Sequence, residues 1–134
     1  MDATRHLRLA LGLVALVLGS GLVLEGLFGL RTRAWMDDAI LREFVRLGHT
    51  HGGVLALVNV GLAFAMGRLR TPEVWARRVR VAALAGAVLV ALGFVGGGLW
   101  HGPSDPGPLV LFVPAGALML VASVAVVAVV RSAE

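Results

Sequence analysis

Residues 79–100 read VRVAALAGAVLVALGFVGGGLW, and Arg80 is the only charged side chain among them. A helix needs about 20 mostly apolar residues to cross the hydrocarbon core of a bilayer, so this run is long enough to span a membrane. Three further runs have similar length and character, at residues 7–30, 47–67 and 109–130. The sequence therefore predicts four transmembrane helices.

The composition agrees with this interpretation. Of the 134 residues, 58% are hydrophobic and 15% are charged, whereas soluble domains have about 45–50% apolar and about 25% charged residues. Little sequence remains between the runs for a soluble domain. We predict an all-α polytopic membrane protein with one domain over residues 1–134, folded as a compact antiparallel four-helix bundle. Its helices are expected at about 7–30, 38–67, 75–100 and 106–130.

The basic residues predict the orientation of the chain. All 12 of them are arginines; those at positions 31, 33, 42 and 46 follow the first run, and the other eight lie on the opposite side. Because cytoplasmic loops are enriched in Lys and Arg, both termini are predicted to be cytoplasmic, in a bacterial inner membrane. No basic patch interleaved with aromatic residues occurs in the sequence, so the lipid bilayer and not nucleic acid is the expected partner.

Glycines recur at helical spacing within the runs. Helices in lipid associate through close packing, and small residues let their backbones approach. We predict helix contacts along three rows of glycines, which also suit a homo-oligomer or a subunit of a membrane complex. The rows are Gly21 and Gly29, then Gly48 and Gly52, and finally Gly86, Gly93 and Gly97.

Ionisable residues within or beside the runs mark a candidate site, because such groups are costly in a bilayer. With short loops, Glu25, His51 and His101 are expected at similar depth near the extracytoplasmic surface. The stretch GHTHGG at residues 48–53 holds two histidines, but side chains two positions apart point about 200° apart on a helix. We predict that His51 faces the bundle interior and that His49 is a reserve ligand.

The remaining polar residues are given structural interpretations. Asp37 or Asp38 is a predicted N-cap of the second helix, and Asp105 a predicted N-cap of the fourth. Asn59, in the middle of a run, is expected to form an interhelical hydrogen bond. His6 is expected to be solvated near the N-terminus.

The stretch GHTHGG, together with GPSDPGP at residues 102–108, resembles a group of small uncharacterised bacterial four-helix membrane proteins. The resemblance covers most of the chain and implies no activity. The His-x-His pattern also resembles helix starts in subunits of the haem-copper oxidase superfamily. Because the chain has neither enough helices nor the adjacent histidine pair of a catalytic subunit, oxidase activity is not inferred.

Three functions remain open at this point. The first is binding of a divalent transition metal, Zn, Cu or Fe, by His51, His101 and Glu25 with His49 in reserve, since the absence of cysteine excludes thiolate sites. A haem between His51 and His101 is a variant of it. The second is a non-enzymatic structural or accessory oligomeric protein whose polar cluster holds helices together. The third is proton or ion transport. A non-enzymatic role is favoured, because no catalytic arrangement occurs in the sequence.

Overall fold

In a computed structural model of the chain, residues 1–130 are described, and they form helices without any strand. Four of the helices are long and apolar enough to cross a membrane, so the predicted all-α fold with four long helices is confirmed. A short helix, α2, lies between the first two of them. The bounds are α1 Ala3–Gly29, α2 Arg33–Met36, α3 Ala39–Arg68, α4 Glu73–Leu99, a 3-10 turn at Pro108–Leu111, and α5 Phe112–Val129.

Asp38 is the N-cap of α3. It is one of the two residues, Asp37 and Asp38, that were predicted for this position. Its carboxylate accepts a hydrogen bond of 2.8 Å from the backbone N–H of Leu41, which satisfies one of the free donors in the first turn of the helix. The short helix α2 lies just before α3. Arg42 of α3 holds it in place by donating to the backbone carbonyls of Trp35 and Met36. The first connection is therefore an ordered cap and not a loose linker.

The predicted N-cap at Asp105 is wrong. The backbone N–H of Gly107 donates to the carbonyl of Gly97 over 2.7 Å, which draws the chain back along the end of α4. The next turn is the 3-10 turn that begins at Pro108, and α5 begins only at Phe112. Asp105 instead accepts a hydrogen bond of 3.1 Å from the hydroxyl of Ser104.

Neighbouring long helices run antiparallel. On α3, Gly48 lies against Val95 of α4, whereas Asn59, further along α3, reaches back to Ala83. The helix α4 packs against both α3 and α5, while α1 packs mainly on α3, barely touches α4 and, within residues 1–130, makes no contact with α5. The bundle is therefore open between α1 and α4.

The apolar core lies on the same three helices. Its buried members come from α3, α4 and α5, and none comes from α1. They are Leu62, Met66, Ala76, Val79, Ala83, Val90, Leu120 and Val127. α1 thus rests on the outside of a three-helix core.

Two long helices approach each other closely where glycines of α4 and α5 face each other. A Cβ at Gly86 would lie 2.7 Å from the carbonyl oxygen of Gly116, and one at Gly116 would lie 2.6 Å from that of Gly86. A Cβ at Gly48 would meet the side chain of Val95 at 2.6 Å. These distances are too short for any side chain, so both helix pairs depend on glycine at these positions.

The other glycines of the predicted rows differ among themselves. Gly93 lies against Val113 of α5, and a Cβ there would be 3.0 Å from that side chain. At Gly97 and Gly52 the nearest distances are 3.3 Å and 3.4 Å, so these two sites are less tight. Gly21 faces a histidine ring of α3, whereas Gly29 has open space around it within the described chain. The predicted contact at Gly29 is therefore not made within the described part of this chain.

Replacing Gly86 with Ala is expected to lower the free energy of unfolding in detergent by about 1–3 kcal/mol, because the added methyl group must displace the backbone of α5. Gly12→Ala is the matched control, since Gly12 has nothing within 4 Å of the added carbon. That control should be neutral or slightly stabilising through helix propensity. Thermal and denaturant unfolding of both variants measures the difference, and equal stabilities would contradict the packing argument.

Candidate functional site

The polar residues lie at two ends of the bundle. At the Asp38 end, α1 and α4 finish and α3 begins; at the Arg80 end, α1 and α4 begin and α3 finishes. Between them, residues 52–58 of α3 carry no polar side chain. His49 and Asn59 are ten residues apart on this helix, which corresponds to about 15 Å along its axis. The two ends therefore do not form a continuous polar path along α3.

At the Asp38 end, Asp38 and His101 form a pair that joins α3 to the loop after α4. The Nε2–H of His101 donates to the carboxylate of Asp38 over 2.8 Å. The other ring nitrogen, Nδ1, faces the backbone carbonyl of Gly102. Both nitrogens thus face acceptors, and only the protonated imidazolium can donate from both.

The charges of this pair follow from those contacts. The Gly102 carbonyl, and after it the Asp38 carboxylate, raises the pKa of His101 above its ordinary value of 6.5. The N–H of Leu41, and after it His101, lowers the pKa of Asp38 below 3.8. When both nitrogens of His101 are protonated, neither has a lone pair for a metal ion or a haem iron.

Of these two histidines, His49 is the one that hydrogen-bonds to another helix. Its Nδ1–H donates over 3.0 Å to the hydroxyl oxygen of Ser20 on α1, since that hydroxyl already donates to the carbonyl of Val17. The ring lies against Gly21, which leaves room for it. The prediction that His51 faces the bundle interior is therefore wrong, because His51 is exposed and α1 packs on the face of α3 that carries His49.

His51 is exposed and bonds within its own helix. Its Nδ1 lies 2.9 Å from the carbonyl oxygen of Leu47, one turn earlier. On the side of α4, its ring centre is 4.8 Å from that of Phe94. His51 therefore packs by an aromatic contact at the surface and does not point into the bundle.

The predicted cluster of Glu25, His51 and His101 is not assembled. Glu25 is exposed on α1 and makes no hydrogen bond or ion pair with any residue of the described range 1–130. Within that range, no three His, Asp or Glu side chains come close enough to hold a metal ion. The sequence pattern predicts a similar membrane depth for Glu25, His51 and His101, but these residues lie on different faces of their helices.

At the Arg80 end, sequence reasoning missed a buried histidine. His6 is fully buried, and its Nε2–H donates to the backbone carbonyl of Asn59 over 3.2 Å. The expectation that it is solvated is wrong, because α1 begins at Ala3 and its first turns pack on α3. The sequence contained one indication of this burial. His6, Ala10 and Val17 are spaced so that they lie on one face of the helix, and this is the face that contacts α3.

Asn59 joins α3 to α4, as predicted for an interhelical hydrogen bond. Its side-chain amide donates to the carbonyl of Leu55 on its own helix over 2.9 Å and to that of Ala83 on α4 over 3.2 Å. Its own backbone carbonyl accepts from His6. One residue therefore connects three helices.

Arg80 is buried beside this contact, and its charge is compensated. The guanidinium binds both carboxylate oxygens of Glu73, at 2.7 Å and 3.1 Å, and donates to the carbonyl of Met1 over 3.0 Å. Paired and bidentate contact is what makes a buried guanidinium tolerable. The N-terminus of the chain is thereby fixed to the start of α4.

Comparison of the chain with protein-family models, with curated proteins and with solved structures gave no match.

The Asp38–His101 pair predicts a pH dependence of stability. Because the pKa of His101 is raised on folding, its contribution is complete below pH 6.5 and is lost as the pH rises through the raised value. Because the pKa of Asp38 is lowered, its contribution is complete above pH 3.8 and is lost on further acidification. The melting temperature in detergent is therefore expected to fall from pH 6.5 upward. Asp38→Asn, which can still cap α3, should flatten this decline, whereas His51→Gln should not; an unchanged decline in the Asp38 variant would contradict the assignment.

His49 and His51 are expected to contribute differently to the stability of the protein. His49→Ala should destabilise the protein by about 0.6–2 kcal/mol, the range of interhelical hydrogen bonds in membranes, whereas His51→Ala should have a smaller effect. Ser20→Ala completes a double-mutant cycle with His49→Ala, and the two effects should be less than additive. Additive effects in denaturant unfolding would mean that the Ser20–His49 bond does not join α1 to α3.

Proposed function

We propose that this chain is a small non-enzymatic membrane protein that works as an oligomer or as an accessory subunit, and that its polar residues hold its helices together. Three cross-contacts support this use of the polar groups: Asp38 with His101, Ser20 with His49, and Asn59 with Ala83. Each joins two helices or a helix and a loop. They are the kind of contact that fixes helix register without any bound ligand.

The observation that carries the proposal is the exposure of α1. This helix is long enough to cross a membrane, yet only His6, Ala10 and Leu24 are buried in it. Glu25 lies on its exposed surface, and a carboxylate facing lipid is costly. Contact with a helix of a second molecule would cover this surface, and the homo-oligomer is the form that we propose.

The other functions receive less support. Metal or haem binding requires ligands that converge, and the site residues do not. Proton transport gains a buried histidine at the Arg80 end, but residues 52–58 separate it from His49 by apolar side chains. The uneven distribution of arginines favours a cytoplasmic position for the Arg80 end and for both termini, in a bacterial inner membrane.

Cysteine cross-linking in native membranes tests the oligomer, because the chain has no cysteine of its own. Leu22 on α1 and Leu118 on α5 are matched in exposure, at 77% and 71%. Under oxidation, Leu22→Cys is expected to give a covalent dimer, since two copies of α1 lie side by side, whereas Leu118→Cys should remain monomeric. Monomers from both variants would contradict association through α1.

Analysis of the purified protein distinguishes the metal-binding alternative. We expect no stoichiometric transition metal by elemental analysis and no Soret absorbance. Stoichiometric metal that is lost on replacing His51 with Ala, with unchanged thermal stability, would replace the structural proposal by the metal-binding one.

A further inference from the structure

A groove opens on the surface of α4 at the Arg80 end, apart from the polar contacts that join the helices. Its volume is about 710 Å³, and it extends to Met119 on α5. Near the start of the helix it is lined by two arginines and by Val74, and further along it is lined by apolar side chains. These residues are Arg77 and Arg78, then Val81, Ala82 and Met119.

Arg77 and Arg78 supply positive charge and form no ion pair within residues 1–130, although Arg77 interacts with the Glu73 carboxylate through its charge. Glu73 also borders the groove, but both of its carboxylate oxygens are bound to Arg80. Arg77 and Arg78 themselves form no ion pair within the described residues. The guanidinium of Arg78 lies 5.3 Å from the ring centre of Trp75, a contact that holds the side chain by cation–π attraction and leaves its N–H groups for an anion.

The apolar part of the groove runs in the direction of the membrane. Residues 81 and 82 follow Arg78 by one turn of a helix that is apolar enough to span a bilayer. An occupant that fits both parts must therefore carry an anion at the membrane boundary and a hydrocarbon chain below it. Basic pockets between transmembrane helices are known to bind lipid head groups in this way.

We propose that this groove binds an anionic phospholipid, with its phosphate at Arg77 and Arg78 and an acyl chain along Val81, Ala82 and Met119. Paired N–H donors of arginine match phosphate oxygens, and the hydrocarbon chain covers the apolar wall. A free phosphate would leave that wall uncovered, so the lipid and not the soluble anion is the occupant. This inference is independent of the oligomer proposed above, because α1 takes no part in the groove.

Lipid titration of the delipidated protein in a neutral detergent tests the proposal. Adducts of phosphatidylglycerol and of phosphatidylcholine are counted by native mass spectrometry, with glycerol phosphate as a headgroup without chains. We expect one tightly bound phosphatidylglycerol molecule, weaker binding of phosphatidylcholine and no competition from glycerol phosphate. Each basic residue beside an anionic lipid contributes about fivefold to binding, so the double variant R77Q/R78Q should bind phosphatidylglycerol about 25-fold more weakly.

The matched control is R5Q/R68Q, which removes two exposed arginines from the same end of the bundle outside the groove. It should keep the affinity of the wild type. Equal losses in the two double variants, or an unchanged affinity in R77Q/R78Q, would overturn the proposal.

A second pair of variants tests the apolar part without changing any charge. Ala82→Phe fills the groove and is expected to weaken phosphatidylglycerol binding at least fivefold, whereas Ala122→Phe, exposed on α5 outside the groove, should not. Full binding by Ala82→Phe, or displacement of the lipid by glycerol phosphate, would show that no acyl chain lies there and would refute the lipid site. Melting temperatures of all variants in detergent confirm that each is folded.

Discussion

Close contact between backbones at α4 is the constraint on which the rest of this molecule depends. Water is absent from the bilayer core, so helices gain no hydrophobic free energy by meeting there. Their association must be stabilised by close packing instead. Gly86 and Gly116 allow α4 and α5 to touch through their main chains, and Gly48 leaves room on α3 for the side chain of Val95 on α4. Because α4 packs closely against both neighbours, it lies between α3 and α5, and α1 is added on α3.

This arrangement also decides where polar groups can be placed. A buried polar atom needs a hydrogen-bond partner, particularly in lipid, and the amide nitrogen of Asn59 has one across the interface between α3 and α4. Asn59 and His6 meet at one end, where α1 crosses α3, and Asp38 and His101 meet at the other, in the connections. These polar residues thus make separate contacts, and within residues 1–130 no three metal-binding side chains come together.

Hydropathy was enough to predict the four long helices, since a helix in lipid must be apolar over a fixed length. The cap of α3 was also readable, because Asp37 and Asp38 stand directly before an apolar helical pattern. The orientation of His49 and His51 could not be predicted, because it depends on which face of α3 packs against α1. That face is set by Gly21 and Ser20 on another helix, and a single helical pattern contains no information on its partner.

The same limit explains the other errors. Asp105 has the right residue type for an N-cap, but a hydrogen bond from Gly107 to Gly97 delays the start of α5. His6 lies in a polar N-terminal segment and is buried only because α1 starts early. In both cases the decisive contact joins positions that are distant in sequence or in different elements. Local propensity is outweighed by such contacts.

The attachment of α1 mainly to α3 has a consequence for how the molecule opens. The apolar core is complete in α3, α4 and α5, so α1 can separate without exposing that core. Regions with few buried contacts open at lower free energy than the molecule as a whole, and α1 is such a region here. Although α1 is synthesised first, it can dock only after α3 has entered the membrane, which makes the first helix of the chain a late element in assembly.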